Sequence, residues 1–232
     1  MRLLCLPYGG GGASIFHRWP DGLPDDIEVC PVQLPARHNR LNEPGLTSVS
    51  AIVARVAIAL EQLVPAPVAL YGHSFGALLA FELTRRLEQA NSPPVHLIVA
   101  GRSAPQLAST RPPIAHLPDM AFCQALQERY GAGQMLSKSV ELREIALPSL
   151  RADLAANEAY RYTDSTPLTT PMTALGSRQD RSVTAEALMA WRATTRGAYT
   201  EHWIDAGHFF VDTHRAWVLE RVTEALAGDR SG

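Results

Sequence analysis

The segment Gly72-His73-Ser74-Phe75-Gly76 sets a serine between glycines two residues before and two residues after it. It directly follows the apolar run 67–71. It directly precedes a stretch, 75–87, that is nearly all apolar in its first half and turns basic at Arg85-Arg86. A serine on so tight a strand-to-helix turn must adopt strained backbone angles, and small flanking residues let strand and helix crowd around it. The strain lifts the hydroxyl above the sheet edge, at the N-terminus of the following helix, where developing negative charge is stabilised. Three fixed positions in five recur by chance. The strand before and the core helix after are what separate this pattern from a plain glycine-rich turn. The chemistry it points to is nucleophilic attack on an acyl carbon.

A serine hydroxyl needs a base. In a strand–turn–helix arrangement of this kind the base follows the last strand, downstream of nucleophile and acid. Of His17, His38, His73, His96, His116, His202, His208 and His214, that order leaves His208 and His214. His208 lies in Asp205-Ala206-Gly207-His208-Phe209-Phe210, just past an apolar run, with a glycine to permit a turn. His214 falls at or inside the final helix, where solvation or capping is its expected role, and His96 and His202 read as strand residues. His208 is therefore the expected base. The imidazole in turn needs a carboxylate to hold its tautomer, and Asp119, Asp153, Asp164, Asp180, Asp205 and Asp212 all follow Ser74. The first three fall in a long helical stretch, and Asp205 is too near His208 in sequence to face it across a site. Asp180 comes one short loop after the run 172–176, so the expected order is Ser74, Asp180, His208.

The oxyanion formed by such an attack needs two backbone N–H donors. One is expected from Phe75, the residue after the nucleophile, and the other from the loop Pro7-Tyr8-Gly9-Gly10-Gly11-Gly12-Ala13-Ser14 after the first strand. Four glycines in a row also evoke a phosphate cradle. Neither G-x-x-x-x-G-K-[ST] nor G-x-G-x-x-G with a suitable acidic residue is present to support that reading. If the strand order reverses between the runs 3–6 and 67–71, the glycine loop and the serine turn meet at the switch point.

The elements that must position these residues are legible from periodicity. Apolar runs at 3–6, 27–34, 67–71, 96–100, 172–175 and 200–205 lack clean alternation, as parallel strands covered on both faces do. Val49, Ile52, Val53, Val56, Leu60 and Leu63 follow one helical face after a cap at Thr47 or Ser48. The segments 75–87 and 217–226 are also helical. Strands alternating with helices predict an α/β fold with a mostly parallel sheet flanked by helices. From about 103 to 168 no strand pattern appears, only helical fragments broken by prolines. That is far longer than an ordinary connection, and it predicts a helical lid inserted within one domain spanning 1–232, rather than a decorative excursion.

Composition narrows the class. The chain's 232 residues suffice for one full hydrophobic core and fall short of two ordinary enzymatic domains. A hydrophobic content of 46% with a net charge of -2 excludes a disordered chain and gives no electrostatic footing for nucleic acid. No apolar stretch approaches the ~18–20 residues that span a bilayer, and the apolar start through Leu6 is too short for a signal-peptide core. A cytoplasmic, soluble protein with no membrane partner is expected. Cys5, Cys30 and Cys123 fit neither a disulfide framework nor a metal site, and Cys5 and Cys30 are expected to act as small packing residues.

Taken together, the motifs resemble the stand-alone type II thioesterases that accompany modular polyketide and nonribosomal peptide synthases. The likeness runs nearly the whole chain: Leu6-Pro7-Tyr8-Gly9-Gly10-Gly11, Phe16, Trp19, Gln33-Leu34-Pro35-Ala36-Arg37, the serine motif, Leu117-Pro118-Asp119, and Arg129-Tyr130-Gly131. It continues through Leu147-Pro148-Ser149-Leu150-Arg151-Ala152-Asp153, Glu158, Tyr160, Pro171, Gly176, Asp180, Trp191 and Gly207-His208-Phe209-Phe210. The stretch 147–153 is more specific than the serine motif, because generic esterases have no such segment. The resemblance implies an α/β-hydrolase fold with a helical lid. It also implies hydrolysis of acyl thioesters on the phosphopantetheine arm of acyl or peptidyl carrier proteins, clearing stalled or misprimed units. By motif position Ser74 is the nucleophile, His208 the base and Asp180 the acid, with Gly9 and Phe75 as oxyanion donors. No metal or diffusible cofactor is implied, and a monomer is expected. The family commonly has Gly-Arg-Glu where this chain has Ala36-Arg37-His38, so the resemblance assigns that loop no role.

The same chemistry would serve a medium-chain acyl thioesterase or a lipase-like carboxylesterase. An acyltransferase also uses Gly-His-Ser-x-Gly, but Asp180 with Gly207-His208 fits hydrolysis better. A catalytically inactive hydrolase fold used to bind carriers is the reading from another class, and the complete set of reacting residues stands against it. Arg102 and Arg111, read as exposed near the lid, are candidate contacts for an acidic carrier, set against a merely solvated role.

Overall fold

The computed structural model describes residues 1–63, 65–163 and 166–228. Six strands form one sheet: β1 (Arg2–Leu6), β2 (Glu28–Pro31), β3 (Val68–His73), β4 (His96–Ala100), β5 (Met172–Ser177) and β6 (Tyr199–Ile204). Their order is β2-β1-β3-β4-β5-β6 and every neighbouring pair is parallel. β1, β3, β4 and β5 are buried almost throughout, which is why their sequences run apolar without alternation. The predicted strand 27–34 shortens to β2 because Pro31 lacks an N–H and β2 sits at the sheet edge.

Helices cover both faces. On one side α1 (Val49–Glu61) and α2 (Phe75–Gln89) pack Ile52, Val53, Leu78, Leu79 and Phe81 against Leu4, Leu70 and Val99. Ser48, not Thr47, caps α1, its hydroxyl accepting from the Ala51 N–H. On the other side Phe16 and Trp19 pack with Tyr71 and with Val218 and Val222 of the last helix. The chain passes from β1 outward to β2 and back across to β3, so the order reverses between β1 and β3. The loops leaving the C-terminal ends of these two strands therefore lie side by side.

Between β4 and β5 the chain makes α3 (Asp119–Tyr130), α4 (Gln134–Lys138) and α5 (Val140–Ala159). Among the described residues no strand forms there, apart from a bridge of Leu168 to Thr195 at its end. The insertion has its own small core of Ile114, Phe122, Cys123, Leu126, Leu147 and Leu154. Glu158 accepts from the N–H groups of Ile114 and Ala115, and Arg151 bonds the Ala115 carbonyl and Asp119. After β5 come α6 (Ala185–Met189), then, past β6, α7 (Phe210–Thr213) and α8 (Arg215–Ala227). No described helix is long and apolar enough to cross a membrane.

One buried ion pair ties this insertion to the sheet. Arg37 and Asp153 form two parallel bonds of 2.7 and 2.8 Å with side chains only 5% and 2% exposed. The same Arg37 donates to the Gly11 carbonyl, and the same Asp153 accepts from the Gly10 N–H, both at 2.8 Å. Ala36 and His38 on either side of Arg37 have φ of 65° and 49°, so the loop accepts left-handed strain to turn the guanidinium inward. The loop that the family resemblance left without a role thus clamps the glycine loop to α5. Removing one partner strands the other as a buried, uncompensated charge. We expect Asp153→Ala to lose about 3–5 kcal/mol of stability, and Arg37→Met with Asp153→Leu to recover most of it. Urea unfolding midpoints of the three proteins measure this, and an Asp153→Ala midpoint equal to that of the parent would contradict it.

Candidate active site

β3 ends at His73 and α2 begins at Phe75, leaving Ser74 alone at the turn. Its φ of 55° and ψ of -114° lie in a region that non-glycine residues seldom occupy, at a cost on the order of 1–3 kcal/mol. The Ser74 N–H is held by the Ala100 carbonyl of β4 at 2.7 Å. Gly72 and Gly76 are required by contact rather than by backbone angle. A Cβ on Gly72 would overlap the Gly76 carbonyl, and one on Gly76 would overlap the Leu6 carbonyl.

The Ser74 hydroxyl meets His208 Nε2 at 3.0 Å, and His208 Nδ1 meets Asp180 Oδ2 at 2.7 Å. His208 and Asp180 are both buried. The loop after β5 delivers Asp180 and the loop after β6 delivers His208, as the chain order predicted. Burial pushes the Asp180 carboxyl up. The hydrogen bond and charge of His208, with two bonds from Ser182, more than offset this and hold it below its ordinary value. Asp180 is therefore ionised at neutral pH. It fixes the proton on Nδ1 and leaves Nε2 free to accept from the serine.

Ser182 escaped the sequence reading. Its backbone N–H and hydroxyl both donate to Asp180 Oδ1, at 2.8 and 2.6 Å, and the hydroxyl lies 3.0 Å from His208 Nδ1. A serine two residues beyond an acid has no distinguishing pattern. Only its arrival beside both partners reveals it.

Phe75 is the first residue of α2, so its N–H has no carbonyl within the helix to bond. Gly9 lies beside it, a Cβ there standing 3.9 Å from the Phe75 Cβ and 3.8 Å from the Asp153 Cβ. The two expected donors are thus adjacent, and Gly10 is fixed behind them by Asp153.

Around this row the side chains are aromatic. The Tyr130 ring, at the end of α3, lies 5.0 Å from the His208 ring, so the insertion covers the base. A cavity of about 230 Å³ opens there between Arg129, Tyr130, Arg181, Asp180, Gly207 and His208. Next to Ser74, His73 is fully buried, its Nε2–H donating to the His208 carbonyl at 2.8 Å and its ring edge-on to Phe210.

The remaining candidates are dispersed. Asp119 pairs with Arg151, Asp205 with Arg178, and Asp212 accepts from the Tyr8 hydroxyl. Asp153 serves Arg37, His96 bonds Thr173 across the sheet, and His214 is exposed next to Thr213. Asp164 lies outside the described residues. Cys5 is buried, Cys30 half-buried. One expectation is corrected: Arg102 is not an exposed arginine. It is half-buried, with Nε fully enclosed. Arg111 is exposed and donates to the Arg181 carbonyl.

Burial, with the nearby His208, lowers the His73 pKa from 6.5 to about 3. In the unfolded chain His73 protonates below 6.5, while in the folded chain it stays neutral, so the unfolded state takes up more protons in that window. Stability conferred at neutral pH is therefore lost as pH falls from 6.5 toward about 3. His73→Gln, which cannot titrate, is expected to show a smaller fall in urea midpoint between pH 7 and pH 4 than the parent. Equal falls in the two proteins would show that His73 is not the group responsible.

With this geometry established, comparison with known proteins is informative. A family model described as "Thioesterase domain" matches residues 1–226. The gramicidin S biosynthesis protein GrsT of Aneurinibacillus migulanus is 40% identical over 227 residues, covering 97% of this chain and 89% of that protein. Among solved structures, RedJ, a thioesterase from the prodiginine biosynthetic pathway of Streptomyces coelicolor, superposes with a TM-score of 0.89 at 35% identity, covering 97% of this chain and 85% of that one. YbtT, a type II thioesterase from the yersiniabactin pathway, gives 0.88 at 31% identity, covering 98% and 93%. The chain belongs to the thioesterase domain family, with an α/β-hydrolase fold, and is a thioester hydrolase of the type II thioesterase class.

Proposed function

We propose that this enzyme hydrolyses acyl groups from the phosphopantetheine arm of acyl or peptidyl carrier proteins, clearing stalled or misprimed units during nonribosomal peptide or polyketide assembly. The observation that carries the chemistry is the hydrogen-bonded row from Ser74 through His208 to Asp180. The carrier assignment rests on relatives named for gramicidin S, prodiginine and yersiniabactin biosynthesis.

In this reading His208 Nε2 takes the Ser74 proton as the oxygen attacks the thioester carbonyl. The carbonyl oxygen gains negative charge and accepts from the Phe75 and Gly9 N–H groups. Collapse of the tetrahedral adduct breaks the carbon–sulfur bond, and the imidazolium returns its proton to the departing thiolate. Water, deprotonated by His208, then attacks the acyl-serine, releasing the acid and restoring Ser74. Asp180 stabilises the imidazolium in both halves. The insertion at 103–168 acts as a lid, its Tyr130 closing over His208. No step calls on a metal or diffusible cofactor.

Ser74→Ala is expected to lower acyl-carrier hydrolysis by at least about 1,000-fold, and a fluorophosphonate is expected to label the parent at Ser74 and not the variant. Retained turnover of an acyl-carrier protein by Ser74→Ala would refute the assignment. Faster turnover of simple oxygen esters than of carrier-bound thioesters by the parent would favour a carboxylesterase instead.

A further inference from the structure

Arg102 stands two residues beyond Ala100, whose carbonyl binds the Ser74 N–H at 2.7 Å. Chain geometry therefore keeps the Arg102 Cα within about 10 Å of the nucleophile's backbone. Its course is fixed on both sides. Gly101 turns with φ of 61° against the His73 ring, and Trp191 Nε1 donates to the Arg102 carbonyl at 2.8 Å. Tyr130 and Tyr160 of the insertion are the groups whose charges bear on its guanidinium.

It has no counter-ion. Among the described residues Arg102 makes no ion pair and no side-chain hydrogen bond, and Nε is enclosed with no acceptor. The neighbouring carboxylates are committed elsewhere: Glu82 to the Tyr160 hydroxyl and Arg85, Glu158 to the N–H groups of Ile114 and Ala115. Burial draws its pKa down to about 10, so the guanidinium stays charged at neutral pH. An unpaired cation in a covered position is expensive. Arg37, a fully buried arginine, is by contrast satisfied by Asp153 and two carbonyls. The contrast singles out Arg102 as a donor whose acceptor arrives from outside the chain.

We propose that Arg102 is a specificity-determining residue of the acyl subsite, selecting acyl thioesters that carry an oxygen acceptor, a carboxylate or keto group, close to the reacting carbonyl, and disfavouring those with an ammonium there. The inference rests on the thioesterase mechanism above, because the subsite is defined by its distance from Ser74. Acceptor oxygens would complete the fork that the protein leaves open, and Tyr130, which feels the Arg102 charge, packs on the His208 ring. An apolar acyl group would leave the guanidinium unpaired throughout the reaction.

The test uses N-acetylcysteamine thioesters of four short acids: butyryl, acetoacetyl, malonyl and β-alanyl. The readout is the ratio of kcat/KM for malonyl or acetoacetyl to that for butyryl, compared between the parent and Arg102→Met so that intrinsic thioester reactivity cancels. The parent ratio is expected to exceed the variant ratio by at least about tenfold. β-Alanyl turnover relative to butyryl is expected to rise in the variant, and Arg102→Lys to retain part of the malonyl preference. Ratios equal in parent and Arg102→Met, with butyryl turnover intact, would overturn the proposal. If Arg102→Met does not fold, Arg102→Gln and Arg102→Lys carry the same comparison. Ser74→Ala is run alongside: butyryl hydrolysis that survives it would refute the mechanism itself, whereas equal ratios with Ser74-dependent turnover would refute only the role of Arg102.

Discussion

Ser74 rests in a backbone conformation that a free serine would leave at once. Keeping it there is the constraint around which the fold is arranged. The strain is on the order of 1–3 kcal/mol, small against the cohesion of a core in which β1, β3, β4 and the first half of α2 are almost wholly buried. That cohesion depends on two absent side chains, since Gly72 and Gly76 let the end of β3, the start of α2 and the end of β1 touch backbone to backbone. With the Ser74 N–H held by the Ala100 carbonyl, the hydroxyl meets His208 Nε2. Strand order then brings the glycine loop of β1 beside the same turn, so Ser74, Phe75 and Gly9 share one edge of the sheet.

Three charges, two buried and one half-buried, organise the space above that edge, each resolved differently. Asp180 is balanced by His208 and Ser182, which keeps it ionised and keeps the base in one tautomer. Arg37 is balanced by Asp153, and because both also hold the glycine loop, the pair joins α5 to the oxyanion region. Arg102 has no internal balance. The helical insertion meets all three, through Tyr130 at His208, Asp153 at Arg37, and Tyr130 and Tyr160 near Arg102. The insertion is therefore in electrostatic as well as steric contact with this edge of the sheet.

Much of this was legible in the residues. Periodicity located all six strands, and the glycine–serine spacing, the chain order of acid and base, and the four glycines after β1 singled out the residues that the fold brings together. Such signals are local: a steric demand at a turn, or an apolar face at a fixed period, is written within a few adjacent residues. Arg37 and Asp153 sit 116 positions apart. No local pattern could separate Asp153 from the other aspartates of the insertion, or explain an arginine in a loop the family likeness left unassigned. Ser182 was invisible for the same reason.

By itself, the sequence determined where a strained serine must sit, which histidine and aspartate could serve it, and that a long helical segment interrupts the sheet. Tertiary structure decided which charges are paired. Whether a guanidinium lies in water, against a carboxylate or alone beneath a helix depends on the packing of segments far apart in the chain. Arg102 changed on that account from an apparent surface residue to a covered, unpaired cation near the nucleophile, since desolvation is a property of the assembled neighbourhood and not of the residue or its neighbours in sequence.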